Sequence, residues 1–315
     1  MLACWRTLPY ANAPLHVPLY LASSWFWFEK SRMIFLKLLS RLPLGVLYAL
    51  SYVLYLFIFR VWRFRRKLSL SNLRLSFPDR SAQELEDIAS RSYRNACDMV
   101  AEVLKGATMD AAAMRERMRI RNIDALAPYI AAQQPVVLLA SHHCNWEWLL
   151  LVSCLELKIS VDAVYKPLRV AAIDRFMFEA RSRFGGNPIA VKDFIVEVLK
   201  RRGAARIIAL VADQTPPREE EKHWTRFLNQ DTAFFVGADK IARITRSPVF
   251  FVGITRTRRG FYAATLKFLA APPYAEDGTE IIERYARAAE THIAEHPADW
   301  LWMYRKWKYK KPFYT

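Results

Sequence analysis

Acidic residues are scarce in this chain: 30 Asp and Glu stand against 47 Lys and Arg, leaving a formal net charge of +17. Such an imbalance implies an anionic partner, with phospholipid headgroups, a phosphorylated saccharide and an acidic carrier protein as the candidates. Nucleic acid would satisfy the charge equally well. Helix-turn-helix, zinc and RNA-sheet signatures are all missing, however, so no nucleic-acid partner is expected. Cysteine is also sparse. Cys4, Cys97, Cys144 and Cys154 form no disulfide framework, and 315 residues can bury a core without one, so a reducing compartment is the simpler reading. Internal repeats and low-complexity linkers are absent, which leaves one catalytic domain as the economical organisation. The N-terminus lacks a cleavable signal's order of basic, apolar and small-residue regions.

Apolar and aromatic residues are plentiful, at 53% and 14% of the chain. From Leu42 to Phe59 no charge occurs, and Arg60, Arg63, Arg65, Arg66 and Lys67 follow at once. The run falls just short of the about 20 residues that a spanning helix needs. Basic residues precede it too, at Lys30, Arg32, Lys37 and Arg41, so a span, a re-entrant segment and a helix lying in the interface all fit. A buried core helix is the bland alternative. The basic cluster after Phe59 favours the cytoplasmic side. The chain therefore divides into an extension (1–32) with Pro9, Pro14 and Pro18, a membrane-anchoring segment (33–67) and a catalytic domain (68–315), with Met33 as the expected natural start.

Beyond the anchor the pattern alternates between helices and strands, as an α/β layer structure requires. Ser81-Ala82-Gln83-Glu84 reads as a capping box opening an amphipathic helix through Val103. Strands are expected at 118–123, 135–140, 160–165, 206–212, 249–254 and 261–268. Helices are expected at 146–157, 171–184, 194–202, 237–246 and 279–296.

The most telling segment is Ser141-His142-His143-Cys144-Asn145-Trp146-Glu147, which follows the apolar run Pro135–Ala140. His142 falls at that strand's end, and Asn145 is placed to cap the next helix. His142 and Glu147 can meet only if the chain turns between them, and a strand-turn-helix junction supplies the turn. An imidazole oriented by a carboxylate is a general base for a hydroxyl attacking a carbonyl. Two other readings stay open: a structural histidine beside a first-turn acid, and a metal site using His143, Glu147 and nearby cysteines. No C-x-x-C or H-x-x-x-H pair accompanies this segment. Cys144 as a nucleophile would give a ping-pong alternative.

Lys166 and Asp213 also fall at expected strand ends, where ligand sites gather in open α/β sheets. Lys166 suits an oxyanion or a phosphate, and otherwise is an ordinary solvated lysine. Asp213 and Gln214 are placed to bond the base loop or an acceptor hydroxyl, or simply to make a turn before Thr215-Pro216. Arg181 reads either as a phosphate ligand or as surface charge. At the C-terminus Trp300, Trp302, Tyr304, Trp307, Tyr309, Phe313 and Tyr314 interleave with Arg305, Lys306, Lys308, Lys310 and Lys311, a density suited to a headgroup zone.

The His142-x4-Glu147 block resembles the HX4E/D motif of the lipid A late acyltransferases, within the lysophospholipid and glycerolipid acyltransferase superfamily. Tyr165-Lys166-Pro167-Leu168, then Arg181 with Phe184-Gly185-Gly186, then Ala212-Asp213-Gln214-Thr215-Pro216, then Trp302–Lys308 resemble the family's later blocks, in order, across about residues 40 to 310. The chain departs from the pattern at Lys166, Tyr304, Lys306 and His143. The resemblance implies a single mixed β-sheet domain flanked by helices, with an N-terminal hydrophobic anchor helix. It implies transfer of a fatty acyl chain from acyl carrier protein or a CoA thioester to a hydroxyl of an anionic glycolipid, such as a lipid A precursor. The work would be done against phospholipid on the cytoplasmic side of a bacterial inner membrane, with no metal or organic cofactor. His142, Glu147, Lys166 and Asp213 would be catalytic, with Glu147 orienting the imidazolium. Asn145, Arg181, Gln214, Trp302, Arg305 and Trp307 would bind substrate. Acylation of another lipid (a lysophospholipid, an ornithine lipid or a polyene conjugate) and a non-catalytic lipid-binding membrane protein are the alternatives.

Overall fold

The computed structural model describes residues 19–201, 204–274 and 278–311. The expectations for residues 1–18, including Cys4 and the three early prolines, lie outside the described residues, as do Phe313 and Tyr314. Helix α1 (Leu19–Arg41) runs straight across the expected boundary at residue 32. The reason is local, since no proline occurs between Pro18 and Pro43 to interrupt it.

Helix α2 (Leu44–Tyr55) continues into a π-helical turn (Leu56–Val61), and together these are apolar and long enough to cross a membrane. Next come α3 (Arg66–Ser76), α4 (Ala82–Gly106) and α5 (Ala111–Arg117). The expected capping box is present: the Ser81 hydroxyl accepts from the Glu84 N–H while the Glu84 carboxylate accepts from the Ser81 N–H. Leu47, Ser51, Tyr55 and Phe59 of the apolar segment recur every fourth residue and are all buried, which makes one stripe. Three hydrogen bonds tie the stripe and the adjoining Tyr48 to α4: Tyr48 to Glu102 (2.8 Å), Ser51 to Asp98 (2.6 Å) and Tyr55 with Ser90 (2.8 Å). Val46, Leu50, Val53 and Phe57, on the remaining surface, are exposed.

The rest alternates: β1 (Met118–Ile120), α6 (Ala127–Ala131), β2 (Val136–Ala140), α7 (Trp146–Leu157), β3 (Ser160–Tyr165), α8 (Ala171–Arg181), β4 (Gly186–Ala190), α9 (Phe194–Lys200), β5 (Arg206–Val211), β6 (Lys222–Phe227), β7 (Gln230–Phe235), α10 (Gly237–Thr245), β8 (Val249–Arg258), β9 (Phe261–Ala270) and α11 (Glu280–Glu295). Seven strands form one sheet in the order β1-β9-β8-β2-β5-β3-β4, parallel everywhere except at β8 against β9. It is a mixed sheet flanked by helices. Every residue of β2 is buried, as its unbroken apolar run requires of a central strand covered on both faces. Val136, Leu138, Ile207 and Val161 pack towards α7, and Val137, Leu139, Ile208 and Phe251 towards α4, α9, α10 and α11. Each such apolar side chain contributes about 1.5–3 kcal/mol by leaving water.

Strand β4 and the hairpin β6–β7 were not expected from the pattern. β4 contains Pro188, which only an edge strand accommodates, and it does lie at the edge. The hairpin turns at Leu228 and Asn229, both with positive φ (49° and 62°), so the usual glycine signal of such a turn is missing.

Candidate active site

The register of β2 on β5 places the site. Ala140 lies opposite Val211, and the Ala212 N–H donates to the Ala140 carbonyl at 3.0 Å, so the next residues of both strands emerge side by side. His142 and Asp213 are those residues. Between β2 and α7 the chain reverses through Cys144, whose φ of 54° is a left-handed conformation costly to a residue with a side chain. Asn145 then starts α7, its side-chain oxygen accepting from the Trp148 N–H at 2.9 Å.

Asp213 holds His142 at two points. One carboxylate oxygen lies 2.6 Å from His142 Nδ1, and the other accepts from the His142 backbone N–H (3.0 Å) and from Trp300 Nε1 (2.8 Å). On the far side of the ring, the Gln214 amide nitrogen is 3.0 Å from His142 Nε2. An amide nitrogen only donates, so Nε2 accepts and the ring proton sits on Nδ1, facing Asp213. That is the tautomer of a base whose lone pair faces outward, towards Gln214. Burial alone would raise the Asp213 carboxyl, but the His142 ring and the donated hydrogen bonds outweigh it and hold the group down at about 2.

Nε2 faces a cavity of about 580 Å³, within the range of small-molecule sites. Its depth is apolar, between α7 and the sheet, with Leu138, Val161, Ile207 and Val252 among its walls. Glu147, Lys166, Arg169 and Arg181 stand at its polar end. The expectation that Glu147 orients the imidazole is corrected here. Glu147 is gripped by Arg181 through two hydrogen bonds, of 2.8 and 2.5 Å, and the carboxylate on His142 is Asp213. The pairing follows from α8, whose last turn carries Arg181 to the first turn of α7, with the guanidinium also lying over the Tyr165 ring.

The family model for bacterial lipid A biosynthesis acyltransferases matches residues 19–309. This chain belongs to that family. Membership makes the protein an acyl-transferring enzyme with an acyl donor and a lipid acceptor. No curated protein matches the chain.

Several residues expected to bind substrate have their polar atoms engaged within the protein or lie away from the cavity. Asn145 is fully buried, and its amide nitrogen donates to Glu102 (2.9 Å) while its oxygen caps α7, so both ends are committed to protein. Trp302 is fully buried too, its indole N–H donating to the Pro297 carbonyl and its ring edge-on to Phe77. Trp307 donates to Thr232, and Arg305 is exposed. None of these four lines the cavity beside His142. Of the C-terminal indoles, the one bonded to Asp213 is that of Trp300, two residues before the expected one, and the Trp146 indole of α7 lies edge-on to the His142 ring (4.7 Å between centroids) and lines the cavity. The signal for Trp300 was its place in the aromatic run, which does not say which indole points where.

Lys306 was read as part of a basic surface and is instead buried, its ammonium over the Phe234 ring (3.9 Å to the centroid) and 3.3 Å from the Ala233 carbonyl. Burial pushes it down to about 7. Cys144 is unsuited to nucleophilic attack: it is buried, donates to the Ile254 carbonyl (3.3 Å), and burial pushes its thiol well up. His143 turns away from Glu147 into the core, its ring 4.5 Å from that of His292. Burial, then the neighbouring His292 and His296, hold it well below the ordinary range, so it packs as a neutral ring. The donor atoms of His143, Cys144 and Asp299 lie within 4.8 Å of one another, but Asp299 is already paired with Arg256 (3.0 Å) and Asn95 (2.9 Å). The H-x-x-x-H spacing missing around His142 exists at the end of α11, as His292 in its last turn and His296 just beyond it, and only the fold brings it to His143.

Proposed function

We propose that this enzyme moves a fatty acyl chain from an acyl carrier protein or CoA thioester to a hydroxyl of a lipid A precursor or related glycolipid, with His142 as general base. The observation that carries the reading is the His142 Nε2 lone pair, set by Asp213 and facing a cavity that is polar at one end and apolar in its depth. A thioester placed with its acyl chain among Leu138, Val161 and Val252 brings its carbonyl to the polar end. The acceptor hydroxyl displaces the Gln214 amide from Nε2 and gives its proton to the ring as its oxygen attacks the carbonyl carbon. Asp213 stabilises the imidazolium. Collapse of the tetrahedral oxyanion breaks the C–S bond, and the imidazolium returns its proton to the departing thiolate. No acyl-enzyme is formed.

Lys166 and Arg169 supply positive charge at the cavity mouth, suited to the oxyanion or to phosphate of the donor or acceptor. Glu147 fixes Arg181, a planar donor set that also suits phosphate. The apolar segment 44–61 acts as an anchor lying along the membrane surface, not across it. Its bonded stripe runs along α4, whose Asp98 and Glu102 would otherwise enter the hydrocarbon. The exposed Val46, Leu50, Val53 and Phe57 face the lipid. Arg60, Arg63, Arg65 and Arg66 suit an anionic cytoplasmic leaflet.

The test is acyl transfer from labelled acyl carrier protein and from CoA thioesters to a lipid A precursor, followed by mass spectrometry in detergent. Wild type is expected to form product and folded His142→Ala to form none. Product from His142→Ala at the wild-type rate would sink the mechanism.

A further inference from the structure

A second cavity, of about 400 Å³, lies on the opposite face of the sheet, under α9 and α10. It is walled by Phe194, Leu210, Val236, Ala238 and Ile241, which makes it apolar in its depth. Charge is confined to Glu220, Glu221 and Lys240, of which Lys240 and Glu221 pair at 2.6 Å. The two cavities are not independent. Both are bounded by Val164, Leu210, Val211 and Gln214, so they meet at the carboxyl edge between β3 and β5. Gln214 is the side chain bonded to His142 Nε2. His142 itself lines only the first cavity, and the apolar pocket on the other face of the sheet reaches it through Gln214.

We propose that the second cavity receives a hydrocarbon chain of the lipid acceptor, while the first holds the acyl chain of the thioester. This rests on the acyltransferase reading above. The chemistry requires two apolar chains whose reacting atoms meet at one base, and a shared rim at Gln214 provides that without the chains lying against each other. The rims separate the two roles. Lys166 and Arg169 give the first cavity a border of unbalanced positive charge suited to a charged donor arm, whereas the second is bordered by Glu220, the Lys240–Glu221 pair, Ile195 (47% exposed) and Phe235 (41% exposed). Beside them Val196 and Leu199 of α9 are also exposed, giving an apolar approach for a chain that enters from a bilayer or micelle. Gln214 then acts as the divider: it occupies Nε2 until the acceptor hydroxyl, led in by its own chain, takes its place.

Two measurements test this. A lipid A precursor carrying a diazirine at the end of an acyl chain is photolysed on the full-length enzyme and the labelled peptides mapped. Label on Phe194, Phe235 or Ile241 is expected, and label confined to Leu138, Val161 or Val252 would overturn the assignment. Separately, Ile195→Glu places a charge at the mouth of the second cavity on a half-exposed helix position, and Ala238→Phe fills its wall. In whichever of them folds, KM for the acceptor is expected to rise tenfold or more, with KM for the donor within twofold of wild type. An acceptor KM within twofold, or a parallel rise in donor KM, would refute it. A wild type that transfers no acyl group would fail the function itself, and the cross-link would then decide the cavity on its own.

Discussion

Replacing Asp213 by Asn tests which carboxylate sets the base. One carboxylate oxygen takes two hydrogen bonds, from the His142 backbone N–H (3.0 Å) and the Trp300 indole (2.8 Å), and the other faces Nδ1 at 2.6 Å. Asparagine has one oxygen and one NH₂. With two donors already aimed at the first position, its oxygen must stay there, because the reverse orientation would set three donors against one another in a buried site. The NH₂ then faces Nδ1, which must become the acceptor, and the ring proton moves to Nε2. His142 would keep its place and lose its function, with a hydrogen where the lone pair was. The corresponding change in a Ser-His-Asp triad lowers turnover by about 10⁴. Here kcat should fall by about 10³ to 10⁴, or about 4 to 5.5 kcal/mol in the barrier, with KM and the melting midpoint close to wild type. Kinetics by mass spectrometry, with circular dichroism to confirm folding, measures it. An Asp213→Asn enzyme within tenfold of wild type, beside a Glu147→Gln enzyme a thousandfold down, would mean that Glu147 is the orienting group after all.

Trp300→Phe keeps the ring and removes one donor to Asp213, so kcat should drop tenfold to a hundredfold, as expected for a hydrogen bond to a charged group worth about 1.5–3 kcal/mol; an unchanged kcat would make that indole purely a packing group. Asn145→Ala removes the α7 cap and one partner of the buried Glu102, and should cost about 2 kcal/mol, read by urea or thermal unfolding in detergent; a loss under half a kcal/mol would contradict the cap. Lys306 is held at about 7 against 10.5 when unfolded, so between those values the unfolded chain binds more protons and stability must rise with pH. The change is on the order of 5 kcal/mol at 1.36 kcal/mol per pK unit. Lys306→Met should remove that slope and stabilise the protein at pH 7, and identical pH profiles for the two proteins would show that the ammonium is solvated.

The sequence was legible where structure is local. Helix α7 and strand β3 begin and end where the apolar period, the Asn145 cap and the flanking polar residues put them. The partner of His142 was not legible in this way. Glu147 is near in the chain, and its spacing from His142 resembles a known motif, so it stood out as the partner. Asp213 is 71 residues further on, and only the β2–β5 register brings it to the ring. Burial was misread at Lys306, because nothing in a run of cations and aromatics tells which lysine the hairpin β6–β7 will cover. Trp300 and Trp302 both turn inward, and the choice between them depends on a strap that Asn72 and Ser92 hold by its backbone carbonyls.

Glu102 has a consequence for anyone wishing to trim this protein. Its carboxylate is buried in α4 and shared among Tyr48 of the apolar segment, Asn145 in the turn after His142, and Tyr262 of β9. A shortened version starting after residue 61, the obvious recipe for a water-soluble enzyme, would strip off Tyr48 and expose the greasy side of α4. It would also leave a half-satisfied acid next to the turn that carries His142. The apolar segment is thus a wall of the folded domain and not a detachable tether, and solubility has to be sought by recolouring its outer face, at Val46, Leu50, Val53 and Phe57, with polar residues.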